Sequence, residues 1–317
     1  MIDRQRLISA GHQSRTMVIN LPHLRYAIAA ANEGSFRRAA ELLLVRQSTL
    51  SRCIRQLEHQ IGANIFERSS SGITPTLSGS SFLHEARSIL DQFDSLVTTA
   101  HRASRGEVGR LSIGFYTSLS AGHLRATLLD FRRRFPDVKL EMVGNSLSGV
   151  TTVLRRSKID VAIITGEAPR KNGGTLPLWS ERVLLALPED HTLADKEAIY
   201  WTDLRGETVL LSECDQGREL EDLLMSKLSS LENRPRIERH HVSRSIIKSL
   251  VSVVASVSLV TESDIGANIP GLIYRDIRDG AGSSTISYSA HWREDNDNPA
   301  LANFLKLLSE RYPRPAV

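Results

Sequence analysis

The hydrophobic positions between Asn20 and Leu57 recur at the spacing of three short helices. Gly34 separates the first helix from the second, which Ser35 can cap. Small alanine side chains stand where two of the helices must approach each other closely. This pattern predicts a helix-turn-helix unit. Its inward-facing positions are Leu24, Ile28, Ala31, Ala39, Ala40, Leu43, Leu50, Ile54 and Leu57.

The next pattern predicts a wing followed by a long helix. Short apolar segments at Ile65 and Ile73 flank a polar tract, as in a two-stranded wing with a mobile tip. Ser78 can cap the long helix, in which apolar residues recur every three or four positions, as in a coiled-coil pairing helix. The alternative is an amphipathic helix packed on its own domain. The stripe consists of Phe82, Ala86, Ile89, Phe93, Leu96 and Ala100.

Beyond a linker at 104–107, predicted strands alternate with predicted helices. This alternation predicts a parallel sheet covered by helices. About 200 residues of this kind indicate two small α/β lobes. The predicted strands are 111–115, 139–143, 159–164, 183–187, 208–211 and 257–261. The predicted helices are 124–135, 147–156, 219–231, 245–255 and 299–311.

Composition limits the class of protein. The 317 residues are enough for two or three domains, and 41% hydrophobic and 24% charged residues are typical of a soluble globular protein. No segment approaches the ~18 apolar residues of a membrane span. Residues 1–18 are predicted to form a flexible extension, and they lack the apolar core of an export signal peptide. Cys53 and Cys214 lie far apart, which fits a reducing cytoplasm. We therefore expect a cytoplasmic protein without a membrane partner.

Charge is distributed unevenly along the chain. Residues 1–105 contain 13 Arg, no Lys and 8 acidic residues, a balance of +5, whereas the remainder contains 27 basic and 28 acidic residues, a balance of −1. A basic front section on a near-neutral body indicates that the front binds a polyanion. A solvated charged face would give the same balance.

The third predicted helix carries a polar face suited to DNA. Gln and Arg can each make two hydrogen bonds to a base edge, and Arg can also hold a phosphate. The helix N-terminus adds amide donors, and no acidic residue occurs between Leu42 and Leu57. The alternative is a plain solvated helix face. The outward-facing positions are Gln47, Ser48, Thr49, Ser51, Arg52 and Arg55.

Many separate blocks of this chain, in the same order, resemble the LysR-type transcriptional regulators. The blocks are 24–26, 33–36, 39–40, 47–58, 61–62, 66–68, 77–79, 111–114, 131–138 and 159–163, and the resemblance covers about residues 18–311. It implies an α+β multidomain fold with an N-terminal winged helix-turn-helix, a long linker helix and a C-terminal two-lobed α/β effector domain. That effector domain would resemble the type 2 periplasmic binding proteins.

The resemblance also implies domain boundaries and partners. We expect a DNA-binding domain at 19–77, a linker and dimerisation helix at 78–105, and an effector domain at 106–317. Lobe one would comprise about 110–180 and 275–311, and lobe two about 181–274. The family binds interrupted palindromes in double-stranded DNA as dimers or tetramers. RNA polymerase is a further partner that the resemblance allows.

Positions matching the family suggest individual DNA contacts. Gln47 and Ser48 should reach base edges. Ser51, Arg52 and Arg68 at the wing are better suited to backbone phosphates.

In this family a small molecule occupies the cleft between the lobes. Hydroxyls and amides at strand ends and helix N-termini suit an anion there, so we expect a small carboxylate or an aromatic acid as effector and no other cofactor. Ser118 matches a position that often binds a ligand carboxylate. The alternative is that these residues only cap helices. The candidates are Thr117, Ser118, Ser146, Ser148, Thr165, Gly166, Ser212, Cys214 and Thr261.

Other classes of function find less support. No G-x-S-x-G motif occurs, and the adjacent His240 and His241 would point to opposite faces of a strand, so we expect no catalytic or metal site. A single-thiol redox-responsive regulator is the alternative that Cys214 leaves open. A free solute-binding receptor is a further alternative, but it would not explain residues 20–76.

Overall fold

The computed structural model describes residues 19–70, 72–144, 146–166, 173–228 and 234–313. The chain divides into two compact units, residues 1–100 and 101–317. The predicted extension at 1–18 and the end of the helix predicted at 219–231 lie outside the described residues. Within the described ranges, no helix combines the length and the apolar run that crossing a membrane requires.

The first unit is the predicted winged helix-turn-helix. Asn20 and His23 form a reciprocal capping box at the start of the first helix, and Gly34, at φ 60°, ends that helix in the left-handed region. Ser35 caps the second helix, as predicted. The elements are α1 (Leu21–Glu33), α2 (Phe36–Leu42), α3 (Gln47–Ile61), β1 (Phe66–Ser69), β2 (Gly72–Pro75) and α4 (Leu77–Ser104).

Thr76, and not the predicted Ser78, caps α4. Thr76 Oγ1 accepts the amide of Gly79 at 2.8 Å and donates to the carbonyl of Asn64 at 2.7 Å. Gly79 belongs to the first turn of α4, and a Cβ there would lie 2.0 Å from the carbonyl oxygen of Ile65. The prediction was wrong because Ser and Thr are equally suited to capping, and only the position of the first turn distinguishes them.

The second unit is an α/β domain, as predicted. Its helices are α5 (Gly122–Arg134), α6 (Leu147–Arg155), α7 (Gly217–Lys227), α8 (Arg244–Val254) and α9 (Pro299–Arg311). Its strands are β3 (Val108–Phe115), β4 (Asp137–Gly144), β5 (Val161–Thr165), β6 (Gly173–Pro188), β7 (Ala198–Tyr200), β8 (Thr208–Ser212), β9 (Arg236–His240), β10 (Ser258–Thr261), β11 (Leu272–Asp279), β12 (Gly282–Ser283) and β13 (Thr285–Arg293).

The hydrophobic clusters of this unit divide it into two lobes. In lobe one, β4, β3 and β5 are parallel, β13 pairs antiparallel with β5, and α5 and α9 cover a core that includes Ile113, Phe131 and Phe304. In lobe two, β10 and β11 pair antiparallel with the second half of β6, and the separate parallel pair β8 and β9 lies beside them. Val209 and Leu259 belong to the core of lobe two.

The boundary that we predicted for the return to lobe one is wrong. Residues 275–279 belong to β11, which pairs with β6 and β7, and Ile277 is buried in the core of lobe two. The chain returns to lobe one within β13, which pairs with the first half of β6. Both β6 and β13 therefore run through the two lobes without a break, so that no turn or linker marks either crossing in the sequence.

Candidate functional site

Helix α3 buries one face and exposes another. Leu50, Ile54 and Leu57 are completely buried in the core of the first unit, as predicted. Because these positions lie on one helical face, the side chains on the opposite face of α3 point away from that core. Of the predicted DNA contacts, Gln47, Ser48, Arg52 and Arg55 are exposed and Thr49 is half-buried.

A shallow depression lies on the exposed face of α3. Three guanidinium groups border it, and its lining contains no acidic side chain. We did not predict two of its residues. Arg46 precedes α3 as its N-cap residue, so helical periodicity does not reach it, whereas Gln56 follows Arg52 by four residues, a spacing that would have found it. The depression is lined by Arg46, Ser48, Thr49, Arg52, Arg55 and Gln56.

Ser51 was wrongly predicted to face outward. It is buried in the first unit, with 7% of its surface exposed. Ser51 precedes the buried Ile54 by three residues and therefore shares its face of α3. A serine is small and polar enough to be taken for a surface residue, but at this position it is a packing residue that DNA cannot reach.

Arg68 lies in strand β1 of the wing and is engaged by its own domain. Its guanidinium lies 5.1 Å from the ring centre of Phe36, and its Nη2 lies 3.8 Å from Glu58 Oε2. The side chain is still about half exposed, at 47%. Arg68 can therefore contact a phosphate only with the part of the guanidinium that faces away from Phe36.

The apolar stripe of α4 divides into two parts. Ala86 is buried and Phe82 is half-buried, and Phe82 packs against the core of the winged helix. The prediction that Ala86 faces a partner helix is therefore wrong, because its own domain already covers it. The second part of the stripe is exposed and consists of Ile89, Phe93, Leu96 and Ala100.

In the second unit, several predicted effector contacts instead join the two lobes. Thr117 is buried, and its Oγ1 lies 3.1 Å from Tyr288 Oη and 3.3 Å from Ser263 Oγ of lobe two. Ser118 Oγ lies 2.8 Å from Ser120 Oγ, and Ser120 Oγ donates to the carbonyl of Ser263 at 2.7 Å. Thr117 and Ser120 thus link the two lobes, whereas Ser118 is half-buried and does not line the cavity described below.

The predicted contacts on lobe two are also engaged within the protein. Ser212 is buried, donates to the carbonyl of Val242 at 2.7 Å and accepts the amide of Cys214. Thr261 is completely buried, and its Oγ1 lies 3.0 Å from Ser263 Oγ. Cys214 is half-buried with a free thiol, like Cys53. Both hydroxyls are thus engaged by groups of the protein, and neither Ser212 nor Thr261 lines the cavity described next, against our expectation.

A cavity of about 390 Å³ lies between the lobes beside these contacts. Lobe one contributes the amino end of α6 and the carboxyl end of β5, and lobe two contributes the segment from Glu213 to Glu219. Three predicted residues, Ser146, Ser148 and Thr165, line it, whereas Gly166 is exposed at the end of β5 and is not part of the lining. The further lining residues are Leu147, Thr151, Arg155, Ile164, Glu213, Asp215, Arg218 and Glu219.

Sequence reasoning missed the charged half of this cavity. Thr151 and Arg155 follow Ser148 by three and seven residues, so the helical period of α6 would have placed all three on one face. The acidic residues after β8 carry no such periodic signal.

Thr165 is held in place because its amide donates to Tyr116 Oη at 2.6 Å, and burial raises the pKa of Tyr116 to about 12.

A buried charged network borders the cavity on lobe two. The Arg244 Nη1 atom donates to Asp264 Oδ2 at 2.8 Å, and its Nη2 donates to the carbonyl of Tyr116, on lobe one, at 3.0 Å. The amide of Arg244 donates to Asp215 Oδ2 at 2.9 Å. Burial lowers the pKa of Lys248, whose Nζ donates to the carbonyl of Asp264. Arg244 therefore crosslinks the two lobes directly beside Asp215 of the cavity.

Two family models match this chain over nearly all of the described residues. The one described as "Bacterial regulatory helix-turn-helix protein, lysR family" matches residues 21–80, and the one described as "LysR substrate binding domain" matches residues 104–313. The first covers the winged helix, and the second covers both lobes with the cavity between them.

Full-length relatives and solved structures agree with these matches. The HTH-type transcriptional regulator AlsR of Bacillus subtilis (strain 168) is 29% identical over 91% of this chain and 95% of AlsR. HcaR, the Hca operon transcriptional activator of Escherichia coli (strain K12), is 28% identical over 92% of this chain and 98% of HcaR.

Among solved structures, CbnR, a LysR family transcriptional regulator, superposes with a TM-score of 0.81 at 23% identity and covers 92% of this chain and 100% of CbnR. Full-length CbnR complexed with its target DNA gives a TM-score of 0.79 at the same identity, over 92% of this chain and 99% of that one. At this identity the similarity shows the fold, and the family models show the membership. This chain belongs to the LysR family of DNA-binding bacterial transcriptional regulators.

Proposed function

We propose that this regulator reads its operator through the exposed face of α3. The cationic depression on that face carries the proposal, because its lining combines three guanidinium groups with hydroxyl and amide side chains and has no carboxylate. Amide and hydroxyl groups suit base edges, so Gln47 and Ser48 would contact bases. The guanidinium groups of Arg46, Arg52 and Arg55 would bind backbone phosphates.

The other predicted DNA contacts take different roles in this proposal. Thr49 lines the depression and would contact the backbone beside Arg52. Arg68 would bind a flanking phosphate with its exposed part. Ser51 takes no part, because it is buried.

Footprinting and gel shifts test this assignment. Genomic fragments selected by the purified protein, and the region upstream of its own gene, should show a protected interrupted palindrome. Arg52→Ala should weaken binding on every sequence and make the dependence of log K on log salt shallower by about 1. Arg156→Ala, an exposed arginine of the second unit, is the control and should leave the slope unchanged. A parental slope in Arg52→Ala would rule out a phosphate contact.

We propose that two chains associate through the exposed part of the α4 stripe. Ile89, Phe93 and Leu96 expose large apolar side chains on one helix, and such a stripe on a long helix is typical of a pairing seam. A dimer would present two copies of α3, which matches an interrupted palindrome. Tetramers would form from such dimers.

We propose that a small-molecule effector binds in the cavity between the lobes and modulates DNA binding. The cavity has the volume of a small-ligand site and combines apolar walls from Leu147 and Ile164 with convergent polar groups. The amino end of α6, with Ser146 and Ser148, would hold an anionic group of the effector, as expected from the sequence.

Filling the cavity tests this assignment without disturbing α3. Ser148→Tyr should leave operator binding intact and abolish any change in the footprint caused by the effector. Thr152→Tyr, on the exposed side of the same helix, should respond like the parent protein. A normal effector response in Ser148→Tyr would place the effector elsewhere.

We propose a regulatory and not a catalytic role, in the cytoplasm, where the chromosome lies. The relatives that match over most of the chain are named as transcriptional regulators. The match to a lysR-family helix-turn-helix argues against a free solute receptor. The single-thiol alternative gains no support from the contacts of Cys214 described above.

A further inference from the structure

The cavity between the lobes contains more charge than an anionic effector requires. Its lining includes two guanidinium groups and three carboxylates, two of which lie within the single turn from Asp215 to Glu219. The inference below rests on the proposed function, because it concerns the chemistry of the effector that this cavity binds. It depends on which of these charged groups the protein itself neutralises.

Two of the three carboxylates already have partners. Asp215 accepts the amide of Arg244 at 2.9 Å, and its Oδ1 lies 3.6 Å from Arg244 Nε. Glu213 lies 3.9 Å from His241, and both side chains are largely exposed to water. Neither carboxylate therefore requires a ligand.

Glu219 differs from both. It is half-buried, and its Oε2 is shielded from solvent without a hydrogen-bond partner among the described residues. Burial raises the pKa of Glu219. A shielded carboxylate oxygen without a partner is costly, and in native structures such a group commonly marks the place of an ion or ligand.

The unpartnered atoms concentrate at this edge of the cavity. Among the described residues, six buried side-chain oxygen or nitrogen atoms lack a hydrogen-bond partner. Two of the six belong to Gln216, the N-cap residue of α7, and to Glu219, in its first turn, whereas a third, Asp215 Oδ1, faces Arg244 Nε at 3.6 Å. Gln216 is completely buried, and its Nε2 is the unpartnered atom. This turn is therefore built with polar groups that the protein alone does not satisfy.

The opposite wall of the cavity is electropositive. Ser146, Leu147 and Ser148 form the amino end of α6, where the helix dipole favours an anion. Arg155, the last residue of this helix, has an exposed side chain that lines the cavity and makes no hydrogen bond or ion pair with any described residue. An anionic group at this wall and a cationic group at Glu219 would neutralise both sides at once.

We propose that the effector is a zwitterion of the amino-acid type, whose carboxylate binds the amino end of α6 with Arg155 and whose ammonium group pairs with Glu219. A purely anionic ligand would leave Glu219 unpaired and bring a second negative charge close to it. A purely cationic ligand would leave Arg155 unpaired. A ligand with both charges would satisfy the two walls, with Arg218 beside Glu219 as a further cation of the lining.

The first test needs no ligand. If Glu219 is unpaired in the free protein, Glu219→Gln removes a buried charge and should raise the melting temperature of the ligand-free protein. Glu197→Gln is the matched control, because Glu197 is an exposed glutamate of the same lobe and should leave the melting temperature unchanged. A lower melting temperature in Glu219→Gln would show that the protein pairs this carboxylate itself, and would overturn the proposal.

The second test uses the twenty common amino acids, each with the corresponding carboxylic acid that lacks the amino group and the amine that lacks the carboxylate. Thermal shifts followed by calorimetry should identify an amino acid that binds at least tenfold more tightly than both of its counterparts. Glu219→Gln should weaken that amino acid at least tenfold and leave the affinity for the carboxylic acid unchanged. Arg155→Gln should weaken both, and Arg156→Gln neither.

The outcomes separate this inference from the proposed function. A carboxylic acid that binds as tightly as its amino acid, and that depends on Arg155 but not on Glu219, would overturn the zwitterion and retain the cavity as the effector site. Binding that is insensitive to both residues, and to Ser148→Tyr, would overturn the cavity as well. Absence of binding by every amino acid at millimolar concentration would also overturn the zwitterion.

Discussion

At the scale of single residues, Glu58 joins the recognition helix to the wing. Its Oε1 accepts the amides of Ile65 and Phe66 at 2.9 and 3.1 Å, and its Oε2 faces Arg68. Because α3 and the wing are joined by one carboxylate, the side chains on the exposed face of α3 have a fixed position relative to β1. Base reading requires this kind of support, since hydrogen bonds to base edges tolerate little displacement.

Gln47→Ala should cost about 1–3 kcal/mol of binding free energy at the cognate operator and much less on random DNA. The exposed amide at the start of α3 is suited to two hydrogen bonds with a base, and alanine can make neither. Gel-shift titrations on both DNAs measure the difference. Gln92→Ala, an exposed glutamine of α4, is the control. An equal loss on cognate and random DNA would reject base reading by Gln47.

At the scale of elements, the stripe of α4 shows how one periodic pattern can serve two purposes. Its first part packs on the winged helix, and its second part stays exposed in the single chain. The interpretation as a helix packed on its own domain therefore holds for the first part, and the pairing seam is our proposal for the second part. A heptad pattern alone does not show where a helix leaves its own domain.

Leu96→Glu should convert the protein to a monomer and weaken operator binding. Leu96 is 66% exposed and therefore contributes little to the stability of the single chain. A glutamate at this position would lose its hydration without gaining an opposite charge if two α4 helices paired, so the substitution should prevent pairing. Size-exclusion chromatography with light scattering measures the mass. The neighbouring Ser95→Glu is the control on the same exposed segment. If Leu96→Glu keeps the mass of the parent, α4 does not form the seam.

Much of the fold was predictable from periodicity, and much of the effector site was not. The spacing of Leu50, Ile54 and Leu57 defines the buried face of α3, since helical geometry relates those positions directly. The site between the lobes depends on pairings across long stretches of chain, such as Thr117 with Ser263 and Arg244 with Tyr116. Three of the predicted residues, Ser146, Ser148 and Thr165, line the cavity between the lobes, while burial removes Thr117, Ser212 and Thr261 from it.

At the scale of the whole molecule, Arg244 contributes to the stability of the second unit by joining its lobes. Arg244→Met should destabilise the protein by about 3 kcal/mol, because it leaves Asp264 buried with Lys248 as its remaining cation. Denaturant unfolding measures the loss. Arg182→Met removes an exposed pair with Glu262 and should cost less than about 1 kcal/mol. Equal effects of both substitutions would contradict a special role for Arg244.

The free energy of unfolding should also fall as the pH decreases below about 6.5. Burial lowers the pKa of His291, whose ring contacts the hydroxyls of Ser289 and Thr175, below its ordinary value of 6.5. The unfolded chain then takes up a proton at a higher pH than the folded chain, so that acidification favours unfolding. Melting temperatures between pH 7.5 and 5.5 should fall less in His291→Gln than in the parent protein. The exposed His101→Gln should behave like the parent.

The two strands that pass through both lobes have a mechanical consequence. The strand β6 is a 16-residue strand whose first half pairs with β13 and whose second half pairs with β10 and β11. The register between β6 and β13 shifts between Ser287 and Ser289, close to the crossing. Any movement of one lobe against the other must bend these two hydrogen-bonded strands together, and an irregularity of this kind already bends a strand locally. A ligand that changes the angle between the lobes would therefore have to supply the free energy that distorts this strand pairing.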